Sequence, residues 1–351
     1  MGSNNINGNV ATAVASPNIA LVKYWGNEDE KLIIPKNSSV SMTLDEKLST
    51  KTSVVFSGVL KEDLFYINGE LQDLSNSEVR ERFNVINIMR SAANIDYKVA
   101  IVSENSFPSS AGLASSASGI SAMVFAANEA LELHMNAFEL GRIARRGSGS
   151  SCRSLMGGFV KWEKGVKSDG SDSSIRQIAP SSHWPEIVDL IAIVSKSKKK
   201  VSSRAGMRKT VETSRLYKLR PAFADEACNS IEKAIISKDF DSLAEITMRD
   251  SNNMHALMLD TWPPLKYLND TSFKIIEAIQ GLNSSYGKNV AAYTFDAGPN
   301  AHIITLKSHI GKVNDALDCI SGIEKIIEAG IGNGPRLLHE SESIISKYVK
   351  I

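Results

Sequence analysis

ENSFPSSAGLASSASG, residues 104–119, is the stretch on which the reading of this chain turns. Before it, YKVAIVSEN (97–105) has the β-branched character of a strand. After it, ISAMVFAANEALEL (120–133) is a long apolar helical run. Between them lies a loop of small residues, which lets a backbone approach a ligand closely. Unpaired N–H groups at the start of the next helix, reinforced by its dipole, favour an anion there. Ser109, Ser110, Ser115 and Ser116 add hydroxyl donors around Gly112. A plain strand-to-helix turn with serine caps has the same composition. The spacing is neither GxxxxGK[ST] nor GxGxxG, so neither of those phosphate-binding mechanisms carries over.

Working outward, residues 9–25 and 51–68 read as strands, the second ending in an Asn68-Gly69 turn. SEVRERFNVINIMRSAA (77–93) has helical periodicity, with Phe83, Ile86 and Met89 on one face. AFELGRIARRGS (137–148) is a further helix. GGFVKWEKG and IVDLIAIVS are strands, and 204–259 is mostly helix. VAAYTFDAGPNAHIITL (290–306) reads as strand, loop, strand. SHIGKVNDALDCI and HESESIISKYV are expected to close the chain as helices. The mixed order makes an α+β fold with no internal repeat. A chain of 351 residues exceeds one ordinary core. A boundary is expected in the Pro/Ser/Lys-rich region 185–200, giving units 1–190 and 191–351.

Forty basic against 39 acidic residues leave a net charge of +1, which argues for neither nucleic acid nor a membrane surface as partner. The basic run KSKKK (196–200) is local and reads as a solvated loop. Three cysteines without metal-type spacing fit a reducing cytosol, each as a buried structural thiol. No apolar stretch reaches 18 residues, and the start has no signal-peptide pattern. The six histidines form no metal or Ser-His-Asp motif, so no metal site is expected.

Three further segments carry chemistry-bearing residues. RRGSGSSCRSLMGG (145–158) holds Arg153, able to clamp a carboxylate or phosphate. YTFDAGPNA (293–301) puts Asp296 at a strand end, where a carboxylate can act as a base or hold a cation. NIALVKYWGNEDEKL (18–32) ends a strand at Lys23-Tyr24. Each segment alone is equally an ordinary loop, cap or surface residue.

Together with NSSVSMTL, VSSRAGM, TVETS and DSNNMHA, and in this order, the segments resemble the diphosphomevalonate decarboxylase family of the GHMP kinase superfamily, from about Ala13 to Pro335. The resemblance implies an N-terminal domain like ribosomal protein S5 domain 2, a ferredoxin-like C-terminal domain, and a site in the cleft. It implies a small phosphorylated mevalonate as substrate, isoprenoid biosynthesis as setting, and a homodimer as the usual assembly. The family reaction phosphorylates a tertiary 3-hydroxyl with ATP, then expels that phosphate and CO₂. The resemblance places the catalytic roles on Asp296, Lys23 and Arg153, and substrate contacts on Tyr24, Ser148 and Asn18. The 107–119 loop would hold the ATP phosphates. Loss of a tertiary phosphate builds positive charge at carbon 3, which Asp296 can stabilise while Lys23 keeps that carboxylate charged.

The sequence also departs from the family. Where ATP-dependent members read KYWGKRD, it has Asn27 for the lysine that serves the substrate's phosphates, and Glu28 for the next basic residue. A further family arginine aligns with Glu78, or with Arg80 after a two-residue shift. Cations appear instead at Lys196, Lys200 and Arg204. A unit charge pair at about 4 Å is worth about 4 kcal/mol at an effective dielectric near 20, so these exchanges are not neutral. They lead to the expectation of mevalonate 3,5-bisphosphate as substrate, with Arg204 on it, ATP-independent elimination to isopentenyl phosphate, no cofactor, and a phosphate loop kept as a relic. The alternative is the ATP-dependent diphosphomevalonate decarboxylase using Mg-ATP. A non-catalytic binding protein of the same fold is a further alternative.

Overall fold

In the computed structural model, residues 7–107, 115–194 and 201–350 are described. Ser109, Ser110, Gly112, Lys196 and Lys200 lie outside them. The helices are α1 Ser77–Ala92, α2 Ser115–Ala130, α3 Ala137–Gly147, α4 Ser203–Thr213, α5 Arg220–Ser237, α6 Phe240–Asp260, α7 Asp270–Tyr286 and α8 Ile310–Asp318. With three larger sheets they make the mixed α+β fold that the sequence pattern calls for.

The first sheet orders its strands as Arg336–Leu337, Val10–Ala15, Thr50–Ser57, Lys98–Asn105, Leu64–Ile67 and Glu70–Leu71. Leu64–Ile67 runs parallel to Lys98–Asn105; the other pairings are antiparallel. Side chains alternate across a strand, so one strand serves two cores. Val54 and Phe56 face α1 and α2, joining Phe83, Ile86, Met89 and Met123. Val55 points the other way, against Ile344, Ile345 and Val349 of the returning C-terminal segment. Burying each such side chain contributes about 1.5–3 kcal/mol.

The second sheet is Ile175–Ala179, Phe159–Trp162, Ser39–Thr43 and Asn18–Val22; the third is Ala291–Phe295, Ala301–Leu306, Ile187–Ile193 and Lys325–Gly330. One core joins them. Ile19, Leu21 and Met42 of the second sheet pack with Cys228 and Ile231 of α5, and with Ile191, Ala292 and Ile304 of the third. The opposite face of the third sheet is covered by α7 and α8 through Ile275, Ile279, Val313 and Leu317. α6 touches both Asn18–Val22 and Ala291–Phe295. Lys23 and Asp296 each follow directly on one of these strands, so the two strand ends meet beside α6.

Several local expectations need correction. The strand expected over 9–25 is two strands, because Ser16-Pro17 interrupts it. HESESIISKYV is no helix but two 3-10 turns, Glu340–Glu342 and Ile345–Lys347, where Ile344 and Ile345 are pulled into the first sheet's core. Tertiary packing there overrides helical spacing. α7 and the strand Lys325–Gly330 were not anticipated, although Asn269 caps α7 and Gly287 ends it in the left-handed region. Cys152 and Cys228 are buried as expected, but Cys319 is exposed.

Candidate active site

Lys23 is 2% exposed, and its Nζ donates to Asp296 Oδ1 at 2.8 Å. Asp296 is itself 37% exposed, so the pair lies at a boundary between protein and solvent. The backbone of Lys23 is gripped by Asp250 and Arg220 from the C-terminal half and by Asn37 from its own half. Its N–H donates to Asp250 Oδ2 at 2.7 Å. Its carbonyl accepts from Arg220 Nη2 at 2.7 Å and from Asn37 Nδ2 at 3.0 Å. Arg220 Nη1 and Asp250 Oδ1 close the clamp at 2.7 Å, both side chains being 0% exposed. An ion pair without water gains little net free energy, but losing one partner strands a buried charge.

Arg153 lies 2% exposed in the 3-10 helix Gly149–Leu155. Its hydrogen-bond partners among the described residues are neutral: Ser39 Oγ at 2.7 Å, Ser41 Oγ at 3.0 Å and Asn18 Oδ1 at 3.3 Å. The guanidinium also stands over the Trp162 ring, 5.9 Å from its centroid. Burial pulls its pKa below the ordinary arginine value, with Asp296 among the groups that oppose this. A buried cation held by hydroxyls and an amide is set up to receive an anion. Asn18 orients it, donating through Nδ2 to Ser154 Oγ at 2.8 Å and to the Ser150 carbonyl at 3.0 Å.

Tyr24 packs its ring on Trp162 with centroids 4.9 Å apart and donates its hydroxyl to Asn27 Oδ1. Burial first, then the charge of Glu30, pushes the phenol's pKa up, so it remains a donor. Gly149 lies under this ring: a Cβ there would come within 2.6 Å of it. Ser148 Oγ is 3.3 Å from Ser116 Oγ at the start of α2. That first turn holds Ser115 and Ser116 and no acidic residue, which suits a phosphate chain. Among the described residues, no group of three or more His, Cys, Asp or Glu side chains could hold a metal ion. Mg²⁺ in nucleotide sites is carried largely by phosphate oxygens and water.

Arg204, in the first turn of α4, pairs with Glu81 of α1 and donates through Nη2 to the Gly147 carbonyl at 3.3 Å. Thus the structure brings Lys23 to Asp296, Asn18 to Arg153, Ser116 to Ser148, and Arg204 to the residue before Ser148. Sequence reading missed Asp250, Arg220 and Asn37. It had singled out DSNNMHA, which contains Asp250 and His255, without giving either a role. His255 is buried edge-on against Phe295, ring centroids 6.2 Å apart, and its Nε2 finds no hydrogen-bond partner among the described residues. Burial first, then the charge of Lys23, lowers its pKa to about 4.

Two family models match the chain: the diphosphomevalonate decarboxylase-like N-terminal domain over residues 15–175, and the mevalonate 5-diphosphate decarboxylase C-terminal domain over 189–329. Diphosphomevalonate decarboxylase of Aspergillus fumigatus is 45% identical over 325 residues, 89% of this chain and 80% of its own. Mevalonate diphosphate decarboxylase from Trypanosoma brucei superposes with a TM-score of 0.87 at 33% identity, over 96% of this chain and 100% of its own. The structure of MDDEF in complex with MVAPP, AMPPCP and magnesium superposes with a TM-score of 0.85 at 36% identity, over 94% and 99%.

These findings correct two expectations. The ATP-independent decarboxylation of mevalonate 3,5-bisphosphate is overturned, because the relatives are diphosphomevalonate decarboxylases. The expectation of no cofactor is overturned with it, because the MDDEF complex holds an ATP analogue and magnesium. The physical reason lies in how charge was counted. The charge lost at Asn27 and Glu28 was set against charge gained at Lys196, Lys200 and Arg204, and that gain was assigned to the 3-position from sequence alone. In the structure Arg204 pairs with Glu81 and donates to the Gly147 carbonyl.

Proposed function

The chain belongs to the diphosphomevalonate decarboxylase family, a family of carboxy-lyases acting on phosphorylated mevalonate, and from that premise we propose that it is the ATP-dependent enzyme converting 5-diphosphomevalonate to isopentenyl diphosphate. The observation that carries this reading is the buried Arg153, whose hydrogen-bond partners among the described residues are neutral, beside the Lys23–Asp296 pair. Such a cation fits a substrate carboxylate, and the adjacent carboxylate fits positive charge developing next to it.

ATP, when bound, supplies the phosphoryl group that makes the tertiary 3-hydroxyl a leaving group. The chain's own residues do the rest. Asp296 accepts the hydroxyl proton and later stabilises the cationic carbon 3. Lys23 keeps the Asp296 carboxylate in place. Arg153, oriented by Asn18, holds the substrate carboxylate in line until the C–C bond breaks and its electrons form the double bond as CO₂ leaves. Ser148 and Tyr24 donate to substrate oxygens. Ser115 and Ser116, with the loop that contains Ser109, Ser110 and Gly112, hold the nucleotide's phosphates through hydroxyls and helix N–H groups. Arg204 is a further substrate-binding residue.

The same reading divides the chain into units 1–190 and 191–351, which the two separate family matches support. A homodimer in the cytosol is part of it as family habit; no described helix is long and apolar enough to cross a membrane.

The test is CO₂ release. The protein is incubated with 5-diphosphomevalonate, with and without Mg-ATP, and with mevalonate 3,5-bisphosphate without nucleotide. CO₂ together with one ADP per turnover is expected only from diphosphomevalonate plus Mg-ATP. Release from the bisphosphate alone, or from no mixture, overturns the reading.

A further inference from the structure

α6 reaches both partners of the Lys23–Asp296 pair. Asp250 takes the Lys23 N–H. The next residue, Ser251, is buried, and its Oγ accepts at 3.1 Å from the N–H of Phe295, the residue before Asp296. His255 stands one helical turn beyond Ser251, on the same face of α6. Its ring meets Phe295 edge-on, and the backbone of Phe295 and Asp296 lies within hydrogen-bonding reach of it. The Asp296 carbonyl also accepts the Gly298 N–H at 2.7 Å, so the main chain turns sharply here. Ser251 and His255 therefore hold the strand end that carries Asp296, while Asp250 holds the one that carries Lys23.

His255 is 8% exposed, and its Nε2 has no hydrogen-bond partner among the described residues. A buried N–H without an acceptor is costly, so the ring's proton belongs on Nδ1, the nitrogen left to reach the backbone. A second proton would make the ring a cation. The charged groups that act on it are Lys23, which disfavours that proton, and Asp296, which favours it. A charged imidazole would thus compete with Lys23 for Asp296.

We propose that His255 is a positioning residue for Asp296: as a neutral imidazole it donates its Nδ1–H to the backbone that carries Asp296, and it leaves Lys23 as the cation that meets this carboxylate. This rests on the reading of Asp296 as the group that takes the 3-hydroxyl proton. It gives His255 a part in that step without requiring it to touch substrate. A shift of about 1 Å in a reacting group can slow a reaction about 100-fold, so a donor that fixes the Asp296 backbone bears directly on kcat.

Three variants test this, with kcat and KM measured on 5-diphosphomevalonate and Mg-ATP. His255→Phe keeps a buried ring without the donor. Its kcat should fall about 10- to 100-fold, with KM for both substrates within about twofold of wild type. His255→Asn puts an amide N–H where Nδ1 stood and should recover most of that kcat. His255→Gln places its amide at the Nε2 position and should recover little. A purely structural histidine would instead give kcat values that follow the variants' stability in denaturant. Full kcat in His255→Phe, or equal kcat in His255→Asn and His255→Gln, overturns the proposal. If His255→Phe does not fold, the difference between the Asn and Gln variants decides.

¹⁵N NMR of the histidine side chains gives a readout independent of turnover. The chain has six histidines, and the His255 signal is the one lost in His255→Asn. At about pH 7 it should show a neutral ring with its proton on Nδ1. An imidazolium, or a proton on Nε2, refutes the proposal. If wild type fails to turn over diphosphomevalonate, the functional reading has failed. The Nδ1–H form then still supports the contact with the Asp296 backbone, and the other forms refute it.

Discussion

Lys23 and Arg204 are two cations of the proposed site, and they are held in opposite ways. Lys23 is 2% exposed; its ammonium meets Asp296, and its N–H and carbonyl are both gripped by a fully buried Asp250–Arg220 pair. Arg204 is 25% exposed and rests on Glu81, a half-exposed carboxylate of a neighbouring helix. A residue of the floor cannot change without stranding a buried group. A residue of the rim can be exchanged for another that reaches the same place from a different element. Chemistry common to a family is therefore expected in the floor, and substrate-reading charges in the rim.

The comparison breaks most visibly if the clamp proves dispensable. Asp250→Ala leaves Arg220 buried without its counter-charge and the Lys23 N–H without its acceptor. It should cost about 3–5 kcal/mol of stability, read from denaturant unfolding. Asp250→Asn keeps an acceptor for the Lys23 N–H. It should retain more of that stability but lower kcat more than it raises KM, because Arg220, which holds the Lys23 carbonyl, loses its counter-charge and with it the register of Lys23 against Asp296. A loss below about 1 kcal/mol in Asp250→Ala would put the clamp in the same class as the rim.

The clamp also marks where sequence reading stops. Lys23 and Asp296 were legible because each ends an apolar strand in a loop of distinctive wording. The strands and helices that carry them were largely legible from periodicity. Asp250 was not, because it lies 227 positions from Lys23 and looks like any polar residue of a long helix. Nothing local tells that it is fully buried. Arg220, at the start of α5, is hidden in the same way. The substrate was misread for a related reason: charge lost at Asn27 and gained at Arg204 both show in the sequence, but that α4 lays Arg208 against Glu30, to which Asn27 donates, shows only in the fold. The C-terminal 3-10 turns failed because packing, not helical spacing, decides what Ile344 and Ile345 do.

Acid sharpens the comparison by a smaller amount. His255 belongs to the floor, against Phe295, and burial lowers its pKa to about 4. An unfolded histidine titrates near 6.5. Between those values the unfolded chain binds a proton that the folded one refuses, so stability falls as pH falls from about 6.5 towards 4 and is fully present above that range. By pH 5 the loss amounts to about 2 kcal/mol. Wild type should therefore lose about that much more than His255→Gln between pH 7 and 5, measured by urea unfolding at each pH. Equal losses would show that the floor does not exclude the charged imidazole.

The smallest effect is expected at Glu28, the acid that most invited the reading of a site hostile to diphosphate. Its carboxylate is 68% exposed and meets Lys36, away from the chain of contacts that runs from Tyr24 through Asn27 and Glu30 to Arg208. Its neighbour Asp29 is likewise spent locally, accepting from the N–H groups of Lys31 and Leu32 at 2.8 and 2.7 Å. Of the acidic cluster, then, Glu30 alone is tied to the rim. Glu28→Gln removes an exposed pair worth about 0–1 kcal/mol, so Tm should shift little and KM for the diphosphate should stay within about twofold. A several-fold fall in KM on Glu28→Gln would extend the rim to the whole cluster. An unchanged KM there would leave Glu30 as the only acid of the cluster tied to that chain of contacts.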